Sequence, residues 1–272
     1  SLFFRGADDR VVGTVQALLD GADVDVIAEI VEPPFVRFQR QFDSLVAHLD
    51  RSREQGLYHR LYDIKIEEYL VSPSYLTVNK GIKLIGALRR TDLYPYLFEK
   101  FNNFKGFQKR NCLVAVAKAE QFEARFMTLI ERGLSDRYFE TRREAIALYS
   151  RFYRDVNALP DAKRLQRAIL DRLGRRLESI EVRAEAIRAA VRFHDEDAFF
   201  ANVRPYLWAR NVRLREAVLD SVEFGLSAGL IERSDRVRRF IKAMLITTSQ
   251  FQPRFRVRQR FVGVVDALEN GK

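Results

Sequence analysis

The chain has 272 residues, of which 47% are apolar and 31% are charged, and its formal net charge is +10. This composition excludes a disordered chain, because the apolar fraction is large enough to form a packed core. No uncharged apolar run reaches the roughly 18 residues of a membrane-spanning helix, and no stretch resembles a signal peptide. We therefore expect a cytoplasmic protein, or the soluble part of a larger one.

The positive charge is confined to the second half of the sequence. Residues 1–136 contain 19 basic and 19 acidic side chains, whereas residues 137–272 contain 28 basic and 18 acidic ones. Within the second half, residues 204–260 hold 13 basic and 5 acidic side chains. Such a local excess attracts anionic partners, among them acidic proteins and nucleic acids.

The first quarter of the chain is less regular than the rest. Apolar spacing predicts helices over residues 11–19, 24–30, 35–49 and 57–70. One proline pair, Pro33-Pro34, and a single proline, Pro73, interrupt this pattern. We interpret residues 1–74 as an irregular helical N-terminal cap.

From residue 75 onward the apolar residues recur with the 3.6-residue period of a helix. This period is clearest in residues 82–88, 113–117, 145–149, 186–191, 217–222 and 257–268. Partner helices are predicted between these segments, over residues 122–130, 165–173, 198–208 and 237–245. Thr141 and Glu144 have the spacing of a capping box, which predicts a helix start at Thr141. Only residues 254–260 alternate as a strand would, so the sequence predicts an all-α fold.

The helical segments also resemble one another. A small or apolar residue occupies the same place in each segment, and successive copies lie 30, 33, 41, 31 and 44 residues apart. These residues are Ile82, Cys112, Ala145, Ala186, Ala217 and Phe261. A period of this length fits two helices per repeat, and such repeats must stack on their neighbours to bury their apolar faces.

Two short motifs carry a resemblance to a known family. The first is Val203-Arg204-Pro205-Tyr206-Leu207-Trp208, followed by Val212-Arg213-Leu214-Arg215-Glu216-Ala217. Tyr94-Pro95-Tyr96-Leu97-Phe98 repeats the first half, and Val182-Arg183-Ala184-Glu185-Ala186 repeats the second half. In these motifs the chain resembles the HEAT-repeat family. The resemblance implies a right-handed α-solenoid of HEAT-like two-helix repeats over residues 75–272, continuous with the cap.

Catalytic motifs in the sequence have simpler structural explanations. Gly225-Leu226-Ser227-Ala228-Gly229 matches the nucleophile elbow of hydrolases, but the residues before it have a helical period and no histidine follows. We interpret it as a glycine-rich helix end. Gly81 and Gly86 have the spacing of a phosphate-binding loop, yet the lysine and the serine or threonine of that loop are missing.

The sequence contains few residues that could bind a metal or act as a nucleophile. His48, His59 and His194 lie far apart in the sequence, and the acidic run after His194 is typical of a helix N-terminus. Cys112 lies in an apolar segment, which favours a small core residue over a nucleophile. We expect no catalytic residue, no metal and no cofactor.

The sequence therefore favours a non-enzymatic scaffold that docks an acidic protein or peptide on a concave or Arg-rich C-terminal surface. The predicted contact residues are Arg213, Arg215, Arg236, Arg239, Arg256 and Arg258. A solvated surface, in which these arginines only pair with nearby carboxylates, is the structural alternative. A second functional hypothesis is nucleic-acid binding through phosphate contacts in the basic half. A third is a HEAT-like DNA glycosylase, for which Trp208 and the acidic run at residues 195–197 are the candidate residues.

Overall fold

A computed structural model describes residues 61–193, residues 195–251, and residues 259, 262 and 263. Over these residues the chain is helical and forms no strand, so the all-α prediction is confirmed. The chain divides into two compact units, residues 1–121 (unit 1) and residues 122–272 (unit 2). Of the predicted cap, only the part from residue 61 onward lies within the described residues.

The described part of unit 1 contains four α-helices. They are α1 (Leu61–Leu70), α2 (Tyr75–Ala87), α3 (Tyr94–Lys100) and α4 (Gly106–Val116), with 3-10 turns at Thr91–Leu93 and Phe101–Asn103. The Ser74 hydroxyl caps α2 by accepting a hydrogen bond from the Thr77 amide at 3.4 Å. Helix α1 packs on α2, and α2 packs on α4.

Helices α2 and α4 run parallel, and polar side chains join their first turns. Gln108 donates from Nε2 to the carbonyl oxygen of Tyr75 at 2.9 Å, and Asn111 donates from Nδ2 to Oδ1 of Asn79 at 2.8 Å. Near their ends the two backbones approach closely at Gly86. A Cβ atom added there would lie 2.8 Å from the Cα atom of Ala115, so this position requires glycine.

The described part of unit 2 contains eight α-helices. They are α5 (Arg125–Leu134), α6 (Phe139–Arg151), α7 (Tyr153–Asn157), α8 (Ala162–Gly174), α9 (Ile180–Ala190), α10 (Glu196–Val203), α11 (Val212–Ser227) and α12 (Asp235–Phe251). Two 3-10 turns, Val191–Phe193 and Arg204–Trp208, follow α9 and α10. Helix α9 packs between α6 and α11, while α5 packs on α6 and α8 packs on α9.

Helices α6, α9 and α11 are parallel neighbours. Near the starts of α11 and α9, Arg213 pairs with Glu181 at 3.0 Å, and two turns later Arg188 of α9 pairs with Asp220 of α11 at 2.9 Å. Arg142, in the first turn of α6, pairs with Glu178 just before α9, so the three helices begin at the same end of unit 2. We call this end, residues 135–142, 172–181 and 207–213, the N-terminal edge.

The repeated small positions form the core of both units. Ile82, Cys112, Ala145, Ala186 and Ala217 are all fully buried. The positions that the sequence pattern predicts to be equivalent are therefore equally buried. The small side chains among them allow adjacent helices to pack closely. Phe261, the sixth position, lies outside the described residues.

The Pro-Tyr motif has the same structural role in both units. In unit 1 the Tyr96 hydroxyl donates to the carbonyl oxygen of Leu70 at 2.9 Å, and in unit 2 the Tyr206 hydroxyl donates to that of Leu173 at 2.8 Å. Each acceptor lies in the last turn of a helix, where carbonyl groups lack intrahelical partners. The motif therefore fixes a helix end in each unit.

Two predicted helix boundaries have opposite outcomes. The capping box is wrong: α6 begins at Phe139, and Thr141 is buried within its first turn. The predicted glycine-rich end is confirmed, because α11 ends at Ser227 and Gly229 has a left-handed φ of 68°. There the Leu230 amide donates to the carbonyl oxygen of Gly225 at 2.8 Å, which closes the helix end. The alternating run at residues 254–260 lies outside the described residues except for Gln259.

No helix in the described ranges combines the length and the apolar character that a membrane crossing requires.

Candidate functional site

The first two predicted contact residues differ in exposure. Arg213 lies on the N-terminal edge with 65% of its side chain exposed, and it pairs with Glu181. Arg215 is only 1% exposed and donates from Nη1 to the carbonyl oxygen of Ala209. Burial lowers the pKa of Arg215. The prediction that Arg215 contacts a partner is corrected, because its guanidinium is enclosed and bonded to the backbone.

Arg236 and Arg239 lie at the other end of α11 from Arg213. They belong to the first turns of α12, which begins shortly after α11 ends, and α11 has 16 residues. At 1.5 Å per residue this separation is about 24 Å. Arg236 pairs with Asp197 and lies 4.9 Å from the centre of the Phe200 ring. The structure therefore does not bring these arginines together with Arg213.

Of the remaining predicted contact residues, the structure describes only Arg239. Arg239 donates from Nε to the carbonyl oxygen of Asp235 at 3.3 Å, within its own helix. Arg256 and Arg258 lie outside the described residues. The four predicted contact residues that the structure describes, Arg213, Arg215, Arg236 and Arg239, thus do not form one site.

A pocket of about 400 Å³ opens instead on the N-terminal edge, between the segments that precede α6 and α9. It is lined by Ser135, Asp136, Arg142, Arg172, Arg175, Leu177 and Glu178. Three guanidinium groups and two carboxylates therefore face a volume typical of sites for small ligands or peptide side chains.

An ion pair between Glu178 and Arg142 forms the floor of this pocket. Arg142 donates from Nη2 to Oε1 of Glu178 at 2.5 Å and from Nε to Oε2 at 3.1 Å. Its Nη1 donates to the carbonyl oxygens of Asp136 at 2.8 Å and Arg137 at 2.9 Å. The Glu178 side chain is 2% exposed. Arg142 thus holds the segments before α6 and α9 together.

Arg172 supplies a second buried guanidinium. It donates from Nη2 to the carbonyl oxygen of Leu134 at 2.5 Å, and its Nη1 lies 3.5 Å from Oε2 of Glu178. Its Nε has no hydrogen-bond partner among the described residues. Burial and the positive charges of Arg175 and Arg142 lower the pKa of Arg172, and Glu178 offsets this only in part.

Glu178 carries the negative charge at the centre of this cluster. Burial raises the pKa of Glu178, but hydrogen bonds from Arg142 and from the Ser179 amide, together with the charges of Arg142 and Arg172, lower it further than burial raises it. The net pKa lies below the ordinary value for glutamate. Glu178 is therefore ionised at neutral pH.

The rim of the pocket is open to solvent. Arg175 is exposed, and its guanidinium makes no hydrogen bond or ion pair with any side chain in the described ranges. Leu177 is 96% exposed, and Trp208, which precedes α11 on the same edge, is 58% exposed. Ile180 and Phe139, the first residues of α9 and α6, are also exposed. Exposed apolar side chains near arginines are typical of protein-binding surfaces.

A different charge pattern covers the middle of the parallel helices. Arg188 pairs with Glu185 at 3.3 Å and with Asp220 at 2.9 Å, while Arg143 pairs with Glu144. Burial raises the pKa of Glu185, and the charge and hydrogen bond of Arg188 only partly offset this effect. Three carboxylates accompany two guanidinium groups here, so this surface has no excess positive charge to attract an acidic partner.

The catalytic motifs acquire structural roles. Ser227 is the last residue of α11, and its hydroxyl donates to the carbonyl oxygen of Phe224 at 2.9 Å. Cys112 is buried, which raises the pKa of its thiol and keeps it protonated. Asp195 caps α10 by accepting from the Ala198 amide at 2.8 Å, as predicted for a helix start. The described residues contain no group of three side chains that could hold a metal ion.

The pocket has no contiguous signature in the sequence, because its residues come from two separate stretches of the chain, 135–142 and 172–178. A signal was present in Arg175-Arg176-Leu177-Glu178, where a large apolar residue follows two arginines in a polar turn. The other stretch that lines the pocket, Asp136 to Arg142, has no comparable sequence pattern. Its contribution depends on the packing of α6 against α9.

Comparison of the chain with models of known protein families finds no match, and comparison with curated protein sequences finds none either.

Proposed function

We propose that this chain is a non-enzymatic scaffold of the HEAT-repeat α-solenoid type, which docks an acidic protein or peptide. The solenoid arrangement is supported by contacts that recur across about one repeat length. Arg142 and Glu178 are 36 residues apart, while Arg188 and Asp220 are 32 apart. Stacked two-helix repeats produce such regular separations, because each repeat contacts its neighbour at equivalent positions.

The N-terminal edge is the docking surface that the charges favour. The observation that carries this proposal is the combination of the exposed Arg175 with the exposed apolar side chains of Leu177 and Trp208. Guanidinium groups form charge-assisted hydrogen bonds to carboxylates, and apolar side chains supply the area that a binding interface buries. The first turns of α6, α9 and α11 add the partial positive charge of three helix N-termini.

An acidic protein fits this edge better than nucleic acid does. Trp208 and Phe139 offer exposed rings on which a base could stack, but Leu177 and Ile180, beside the pocket, are aliphatic and bury only apolar side chains. Glu181 is partly exposed between the first turns of α9 and α11, and its carboxylate would repel a continuous phosphate backbone. Nucleic-acid binding nonetheless remains the alternative that the experiment must separate.

The test is a selection with the full chain as immobilised bait. A displayed library of random peptides is screened, and in parallel duplex and single-stranded oligonucleotides are titrated between about 50 and 200 mM salt. We expect enrichment of peptides rich in Asp and Glu, with only weak oligonucleotide binding. No peptide enrichment, together with tight oligonucleotide binding that falls steeply with salt, would replace this proposal by nucleic-acid binding.

A pair of double variants locates the surface. R175E/R213E reverses two exposed charges on the N-terminal edge, and R236E/R239E reverses two at the other end of α11. We expect the first variant to lose capture of the selected peptides and the second to retain it. The opposite result would move docking to the start of α12, where the sequence analysis expected part of the contact surface.

A further inference from the structure

The pocket on the N-terminal edge has more positive charge than its own carboxylates neutralise. Glu178 is already saturated, since Oε1 alone accepts hydrogen bonds from Arg142 at 2.5 Å and from the Ser179 amide at 2.9 Å. Oε2 is shared between Arg142 and Arg172. Arg175 is left on the rim without a described partner. An additional anion is therefore electrostatically favoured in this pocket.

A buried guanidinium in the wall of the pocket adds to this positive charge. Arg172 is more than nine-tenths buried, and its Nε has no hydrogen-bond partner among the described residues. Because this nitrogen is enclosed, Arg172 contributes its positive charge to the pocket and no direct bond to a ligand through Nε. The 400 Å³ volume has room for a carboxylate side chain but is small for a folded element.

Leu177 adds an apolar requirement at the entrance. Its side chain is 96% exposed in a turn that is otherwise charged, directly between Arg176 and Glu178. Covering such a side chain favours binding through the hydrophobic effect. A ligand that places a carboxylate beside Arg175 would bring its neighbouring residues over Leu177.

We propose that this pocket is a subsite for one Asp or Glu side chain of the partner, bound by Arg175 and attracted by the charges of the buried Arg172 and Arg142, with a large apolar residue of the partner packed on Leu177. This inference rests on the proposed function and specifies the sequence that the docked segment must contain. The recognised element is thus an acidic residue next to an apolar one, not diffuse negative charge.

The experiment compares R175A with R176A in the full chain. Arg176 is the adjacent exposed arginine and does not line the pocket, so its variant loses the same charge without touching the subsite. Each variant serves as bait for the random peptide library, and enriched peptides are then measured by fluorescence anisotropy. We expect wild type and R176A to enrich peptides with Asp or Glu beside Leu, Ile, Phe or Trp.

For those peptides R175A should weaken binding about tenfold or more, the effect of losing a charge-assisted hydrogen bond. L177S should weaken it several-fold, and replacing the acidic residue of the peptide by its amide should abolish the difference between R175A and wild type. Equal weakening by R175A and R176A would overturn the subsite while leaving an acidic docking surface in place. Failure of every bait to enrich acidic peptides would instead overturn the proposed function itself.

Discussion

The parallel helices of unit 1 and those of unit 2 are joined by different chemistry. In unit 1, α2 and α4 are connected through neutral amides, Asn79 with Asn111 and Gln108 with a backbone carbonyl. In unit 2, α6, α9 and α11 are connected through guanidinium and carboxylate groups, as in the pairs of Arg142 with Glu178 and Arg188 with Asp220. The two units share one packing scheme, and the polar groups that connect their helices differ.

This difference explains part of the charge asymmetry of the chain. Several arginines of the second half are structural, since Arg142 and Arg172 satisfy backbone carbonyls and a buried carboxylate. A basic sequence segment is therefore not by itself a binding surface. The residues that can serve a partner are the exposed ones that the packing leaves over, such as Arg175.

The largest effect should come from removing the carboxylate at the centre of the unit 2 network. Glu178→Ala leaves the buried guanidinium groups of Arg142 and Arg172 without their counter-ion, which typically costs about 3–5 kcal/mol in the free energy of unfolding. Urea denaturation measures the loss. Hydrogen exchange should rise in α6 and α9 and stay unchanged in α2 and α4.

The matched control is Glu120→Ala in unit 1. Glu120 pairs with Arg89 at 3.2 Å, but its side chain is 79% exposed. An exposed pair contributes about 0–1 kcal/mol. If the two variants lost equal stability, the proposed contrast between the connections of the two units would not hold.

The second effect tests the close helix contact in unit 1. Gly86→Ala places a Cβ atom 2.8 Å from the Cα atom of Ala115, so α2 and α4 must move apart. Overpacking of this kind costs about 1–3 kcal/mol, which should exceed the gain of up to about 1 kcal/mol in helix propensity. Thermal denaturation followed by circular dichroism measures the change.

Gly174→Ala provides the control for this variant. An added Cβ atom at Gly174, the last residue of α8, meets nothing within 4 Å. We expect this variant to be neutral or more stable. A gain of stability in Gly86→Ala would show that the helices can separate without loss.

The sequence predicted the fold better than the site. Helical periodicity located α2, α4, α6, α9 and α11, because each buries one apolar stripe, and the repeated positions Ile82 and Ala186 proved to be fully buried. The start of α6 was predicted two residues too late because Thr141 fits a capping pattern yet lies in the core. Local patterns thus identify the helices more reliably than their ends.

The site was missed for a physical reason. Whether an arginine is buried or exposed depends on which helix packs beside it, and sequence spacing does not encode this. Arg213 and Arg215 are two residues apart, but the first is exposed and the second is enclosed. The pocket joins Arg142 to Glu178 across two turns, so it exists only after α6 and α9 have packed.

The third prediction concerns the loss of stability at low pH. Because the folded-state pKa of Glu178 lies below its unfolded value, its ionised form stabilises the protein above the ordinary pKa of glutamate, and this contribution is lost as the pH falls through the folded-state pKa. Wild type should therefore lose its advantage over Glu178→Gln as the pH falls below the ordinary pKa of glutamate and through the lower folded-state pKa. Urea denaturation at a series of pH values measures this difference. A difference in stability that stayed constant with pH would mean that the charge of Glu178 does not contribute to stability.

The smallest expected effect on stability has the opposite sign and comes from Glu185 in α9. Burial raises the folded-state pKa of Glu185, so its ionised form destabilises the protein above that pKa, and the penalty is absent below the ordinary glutamate value, where both states are protonated. Glu185→Gln should therefore stabilise the protein at pH 7 by less than about 1 kcal/mol and have no effect near pH 4. Arg188 keeps Asp220 as its partner at 2.9 Å, so the substitution leaves no buried cation unpaired.

Urea denaturation at the two pH values measures this change, with Glu181→Gln as the control on the same face of α9. Glu181 pairs with the exposed Arg213, so its variant should lose a little stability at pH 7 or none. If Glu185→Gln lost stability at neutral pH, the pairing of Glu185 with Arg188 would outweigh the burial of its charge. All the ion pairs that connect the helices of unit 2 would then be stabilising. We expect Glu185 to be the exception, because burying its charge destabilises the protein by more than its pairing with Arg188 stabilises it.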